Sequence, residues 1–141
     1  SKIDTATQAL ETIDEGQPNV VIVPLLGKGV KVSAVSAQED PEILGWNVRV
    51  YELPRRVPAT TLLHTVSGPG PQVLLTLIVP LRPGQPNPVA GITSGEDGRS
   101  ATVTYTDGRK FLISVPGERG IAVKETLPDG TTGRSAASAA N

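Results

Sequence analysis

Cysteine is absent from this chain of 141 residues, so no disulfide, thiolate metal site or cysteine nucleophile can form. Export stays open, because a domain of this length buries enough surface to fold without staples. Methionine is also absent, so Ser1 is either what remains after removal of an initiator or the start of an excised piece; opening directly into strand-like Thr5 to Ile13 favours excision or processing. Histidine occurs once, as His64, so any serine triad or nitrogen-rich metal site would depend on that one residue. An excess of either sign of charge is missing: thirteen basic and fourteen acidic side chains leave a formal net charge of -1, with no global field to hold nucleic acid or an anionic membrane. Any polyanion site must be local. The longest strongly apolar run, Val73 to Val79, falls far short of the roughly 20 residues that span a bilayer, and no basic start followed by an apolar segment opens the chain. A soluble chain without a membrane span is expected.

Turn-formers are plentiful instead. Thirteen prolines and fifteen glycines make up about a fifth of the residues, well above average usage, and they separate short apolar runs at regular intervals. Candidate strands are Thr5 to Ile13, Asn19 to Pro24, Lys28 to Val35, Asn47 to Leu53, Thr60 to Val66 and Gln72 to Val79. Val20, Val21, Ile22 and Val23 form a continuous β-branched run suited to a strand covered on both faces. The Thr60 and Gln72 segments, joined by Ser67-Gly68-Pro69-Gly70-Pro71, read as a hairpin. Four prolines between Pro80 and Pro88 remove backbone donors and demand an exposed connection.

Ala101, Val103 and Tyr105 alternate with threonines, Asp107-Gly108 interrupts, and Phe111, Ile113 and Val115 resume; this predicts a hairpin on a two-residue type I′ turn. A last strand, Ile121 to Thr126, ends at Pro128-Asp129-Gly130, and residues 131–141 are expected to form a flexible tail because small side chains offer little to bury. Asp-Gly pairs at 97, 107 and 129 are turn chemistry rather than copies of a unit. A helix is conceivable only around Ala34 to Leu44, where Pro41 favours an irregular loop. The fold class is therefore all-β: one antiparallel sandwich over residues 1–130 with roughly eight to ten strands, immunoglobulin-like or part of a larger sandwich.

The order Gly45-Trp46, Tyr51-Glu52, Val57-Pro58-Ala59-Thr60-Thr61-Leu62, then Leu75-Thr76-Leu77-Ile78-Val79-Pro80-Leu81-Arg82-Pro83-Gly84 resembles the end of the β region of heparinase II/III-like polysaccharide lyases. The Asp107-Gly108-Arg109 hairpin and the closing Leu127-Pro128-Asp129-Gly130 fit the same pattern, so the resemblance spans Thr12 to Gly130. It implies a bacterial, secreted or periplasmic enzyme whose large β-sandwich packs beside an α/α-toroid catalytic domain and which cleaves uronic-acid polysaccharides by β-elimination, without a cofactor. Such chemistry needs a neutralised carboxylate, a base and an acid. The toroid supplies much of that set, and this chain has no helical region to form one, so it is expected to be a non-catalytic accessory part. The alternative is an independent carbohydrate-binding, adhesion or structural module of sandwich fold. Several hundred helical residues upstream in the parent reading frame would decide for the lyase.

Candidate residues follow from this. His64 shares strand parity with Thr60 and Leu62, and reads more simply as structural or solvated than as a base. Glu39, Asp40 and Glu42, like Glu96 and Asp97, lack the spacing of a calcium loop and read as solvated turns. Leu26-Gly27-Lys28-Gly29-Val30 lacks the span and closing Lys-Ser/Thr of a phosphate loop. The constellation that points to a ligand is Trp46, Arg49, Tyr51, Arg55 and Arg56, where aromatic faces suit sugar rings and guanidinium forks suit carboxylates or sulfates. Against it stands a plainer assignment: aromatics filling the core edge and arginines solvating a loop.

Overall fold

The computed structural model describes residues 1–4, 7–26, 30–48, 56–70, 74–117 and 120–138. Among the described residues there are thirteen strands: β1 (Lys2–Ile3), β2 (Leu10–Glu11), β3 (Asn19–Leu26), β4 (Lys31–Val35), β5 (Trp46–Val48), β6 (Arg56–Pro58), β7 (Thr61–Thr65), β8 (Leu75–Leu81), β9 (Val89–Ser94), β10 (Ser100–Tyr105), β11 (Lys110–Ser114), β12 (Ala122–Thr126) and β13 (Thr132–Ala137). Nine of them have five residues or more, which matches the eight to ten expected; the surplus consists of two- and three-residue pieces. No helix occurs among the described residues, and every pairing is antiparallel.

Two larger sheets, ordered β1-β2-β3-β8 and β13-β12-β11-β10-β9, enclose the core, while β4-β7 and β5-β6 are separate ribbons. Period-two alternation decides what is buried. Val21, Val23 and Leu25 of β3, with Leu81 of β8, meet Ala101 and Val103 of β10, Ile113 of β11 and Val115. The other parity of β3, Val20, Ile22 and Pro24, is half-buried. Its neighbours in register differ sharply: Leu10 beside Ile22 is 4% exposed, whereas Ile78 on the opposite side is 63% exposed. The run is thus covered on one face and only partly on the other.

Four expectations are corrected. Thr60–Val66 and Gln72–Val79 do not form a hairpin together: β7 pairs with β4, and β8 pairs with β3. Placing Leu77 opposite Val23 and Val79 opposite Val21 joins the two most apolar rows, and that burial outweighs the proximity of the turn. The first segment is not one strand, because Gln8 has φ 57 and the chain folds back from β1 to β2. The β10–β11 loop has three residues, closed by Tyr105 N–H donating to Arg109 O at 2.9 Å, with only Gly108 in the left-handed region at φ 86. A type I turn followed by a left-handed glycine matches strand twist as well, and it leaves Asp107 in an ordinary conformation from which its carboxylate accepts the Arg109 N–H at 3.0 Å. Finally, Thr132–Ala137 of the expected tail pair with β12, and the Ser138 N–H donates to Ile121 O at 2.9 Å. Small side chains do not prevent this, since an edge strand is held by its backbone.

Candidate functional site

The β5–β6 hairpin carries the described part of the sequence-derived cluster. Trp46 lies opposite Pro58 and Val48 opposite Arg56, so Trp46 and Arg56 share one face by period two. Gly45 sets the entry to this hairpin: its φ is 74, and a Cβ there would sit 2.6 Å from the Ser36 Cα, which only glycine avoids. Its carbonyl accepts from Ala37 N–H at 2.9 Å and Ala59 N–H at 2.8 Å, tying the two chain ends together.

Reciprocal backbone bonds between Gln38 and Leu44 close a loop over residues 39–43, and Trp46 Nε1–H donates to the Gln38 carbonyl at 3.0 Å. From the same loop Glu39 reaches Arg56, with Oε2 at 3.3 Å from Nη1. Both side chains are about half exposed, at 59% and 48%, and such a pair contributes less than about 1 kcal/mol. An anion could therefore displace Glu39 from Arg56 at small cost. Arg49, Tyr51 and Arg55 lie outside the described residues, as do residues 27–29 of the glycine-rich run.

His64 sits in β7 opposite Val32, and its Nε2 is buried without a hydrogen-bond partner among the described residues. A general base needs an open path to the proton it takes, and this nitrogen is enclosed. Among the described residues, no three His, Asp or Glu side chains are placed to hold a metal ion together. Asp97 instead caps its own turn: Oδ1 accepts Arg99 N–H, Ser100 N–H and the Ser100 hydroxyl at 2.9, 3.0 and 2.8 Å, and these bonds hold its carboxyl below the usual range.

A second constellation, which sequence reasoning missed, lies on β11, β12 and β13 of the five-stranded sheet. A cleft of about 470 Å³ is bordered by Arg109, Phe111, Val123, Glu125, Leu127 and Arg134. Arg109 is pinned by Asp107, with Nε–H donating to Oδ2 at 2.7 Å, and its Cζ lies 5.6 and 5.8 Å from the Tyr105 and Phe111 ring centres. Asp107 also raises the Arg109 pKa, while burial pushes the Tyr105 phenol up. Glu125, only 8% exposed, accepts the Arg134 N–H at 3.0 Å through Oε2; its Oε1 lies 3.6 Å from Arg109 Nη1, longer than a hydrogen bond. Gly133 makes room, since a Cβ there would come 2.6 Å from Glu125 Oε2. One signal was visible in the sequence: Val123, Glu125 and Leu127 have the same parity, so a carboxylate interrupts an apolar row.

Comparison of the chain with protein-family models, curated proteins and solved structures gave no match.

Proposed function

We propose that the chain is a non-catalytic accessory β-sandwich domain of a heparinase II/III-like polysaccharide lyase, which supports the catalytic domain of the same protein and touches its acidic polysaccharide. The observation that carries the contact role is the shared face of Trp46 and Arg56 on the β5–β6 hairpin, an aromatic surface beside a guanidinium that, among the described residues, only an exposed Glu39 occupies. Sugar rings pack on such aromatics, and guanidinium forks take carboxylates. The lyase attribution rests on the order of residues from Gly45 to Gly84, and a secreted or periplasmic location goes with it. The enclosed Nε2 of His64 supports a division of labour in which another domain supplies the base.

The test has two readings from one set of samples. Incubated with heparan sulfate, alginate or hyaluronan, the chain should produce no unsaturated sugar and so no rise in ultraviolet absorbance. In gels containing alginate it should be retarded at low salt, and an Arg49→Ala, Arg55→Ala, Arg56→Ala variant should be retarded less. A rise in absorbance that survives His64→Ala would overturn the division of labour, and one lost in that variant would make His64 the base. Absence of any retardation would remove the polysaccharide role.

A further inference from the structure

We propose that the cleft between Arg109 and Arg134 is a subsite for one carboxylate-bearing sugar unit of an acidic glycan, an inference that rests on the glycan-contacting role above and places a second contact on different strands. Its volume of about 470 Å³ falls within the range of small-molecule sites, and Phe111, Val123 and Leu127 give it an apolar wall. Three polar groups converge there with complementary needs. Arg134 is exposed in the edge strand β13, and among the described residues no carboxylate pairs with its guanidinium. Arg109 is already immobilised by Asp107 and by two aromatic rings, so binding a ligand costs it little further side-chain entropy. Glu125 is buried and meets the Arg134 N–H at 3.0 Å and the Arg109 guanidinium at 3.6 Å, which leaves acceptor sites of its carboxylate unfilled, since an ionised carboxylate has about four.

The cleft thus presents an unpaired cation, a rigid donor fork and an under-used acceptor against an apolar wall. A uronic acid answers all of them with one ring. Its carboxylate takes the Arg134 fork, its hydroxyls donate to Glu125 and accept from Arg109, and its C–H face lies on Phe111 and Val123. An acidic peptide side chain supplies the anion for Arg134 but no hydroxyl to donate to Glu125. A neutral sugar supplies hydroxyls but leaves Arg134 unpaired.

Amide chemical shifts of the ¹⁵N-labelled chain, titrated at low ionic strength with an alginate trisaccharide, cellotriose and an oligoglutamate peptide, test this directly. The expected result is saturable shifts at Arg109, Phe111, Val123 to Leu127 and Arg134 to Ala136 with alginate alone. Affinity should fall about tenfold in Arg134→Gln, the loss of one charge-assisted contact. Arg134→Gln keeps the backbone donor to Glu125, and its own spectrum reports whether the fold is intact. Equal shifts with cellotriose or with the peptide, or no effect of Arg134→Gln, would overturn the subsite. Shifts confined to the surroundings of Trp46 and Arg56 would overturn the subsite and leave the glycan-contacting role standing, whereas no shifts anywhere would overturn both.

Discussion

One added methyl group, Gly133→Ala, probes the seat of Glu125 and the register of β12 on β13 together. The new Cβ would lie 2.6 Å from Glu125 Oε2, 2.9 Å from Cδ and 3.0 Å from Cγ, so it meets the end of the side chain along its length rather than at the tip alone. Glu125 must move, and moving it breaks the 3.0 Å bond from Arg134 N–H in a place only 8% exposed. Leaving that carboxylate and amide without partners costs about 1–3 kcal/mol. Against this stands the gain from replacing glycine inside a strand, about 0.5–1 kcal/mol. The expected net effect is a loss of about 1 kcal/mol. In a Glu125→Ala background the obstacle is gone, and the same substitution should raise stability by about 0.5 kcal/mol. Urea unfolding of the four proteins of this double-mutant cycle reads the reversal of sign. An equal effect of Gly133→Ala in both backgrounds, or a stabilised single variant, would refute the contact.

Further expectations concern the histidine, the turns and the edge. Because His64 Nε2 is buried and unpartnered, His64→Leu should leave thermal stability unchanged or raise it by about 1 kcal/mol; a clear loss would show that the imidazole is needed where it lies. Asp97, Asp107 and Asp129 are each held below the usual carboxyl range, the first two chiefly by the backbone N–H two residues on, the third chiefly by the Thr131 hydroxyl. A lowered folded pKa means that their stabilisation is complete above the unfolded value of about 4 and is lost as pH falls through the lower folded values. Asparagine at all three positions keeps the turn acceptor but does not titrate, so acid unfolding below about pH 4 should become less steep; an unchanged slope would contradict the assignment. Deleting residues 133–141 should cost clearly more than the ~0.5 kcal/mol typical of surface changes, since it strips β12 of its neighbour; a loss within that range would mean that β13 adds nothing.

Alternation and turn chemistry made much of the fold legible. Val103 and Ile113 stand on the alternating apolar parity of their strands and lie in the core, and the Asp-Gly pairs marked the ends of β10 and β12, whereas the continuous run from Val20 to Val23 did not show which of its faces is the buried one. Partner choice was not legible. Nothing local in Thr61–Thr65 says that it pairs with Lys31–Val35, because that pairing is decided by which apolar rows bury most, a property of the whole chain. The edge strand was missed for a related reason: Gly133, Ser135 and Ala136 carry no hydrophobic signal, and what holds them is the backbone of β12 together with the Glu125 carboxylate. At the candidate site, nearness in sequence grouped Trp46 with Arg56, but their shared face depends on the register of β5 on β6, and the Glu39 ion pair and the Gln38 carbonyl that receives the indole depend on a loop whose path residue types do not specify. The Arg109 cleft joins residues from three strands and two hairpins, and only the parity of Glu125 hinted at it.

The central claim, that this sandwich touches acidic polysaccharide without cleaving it, is tested most directly by calorimetric titration of an alginate oligosaccharide into the chain at low and at physiological ionic strength, with ultraviolet absorbance followed on the same samples. Exposed guanidinium contacts are screened within about 8 Å at physiological salt, so the predicted result is a weak, saturable heat at low salt that fades as salt rises, with flat absorbance throughout. No heat at low salt, or absorbance that climbs with time, would contradict it.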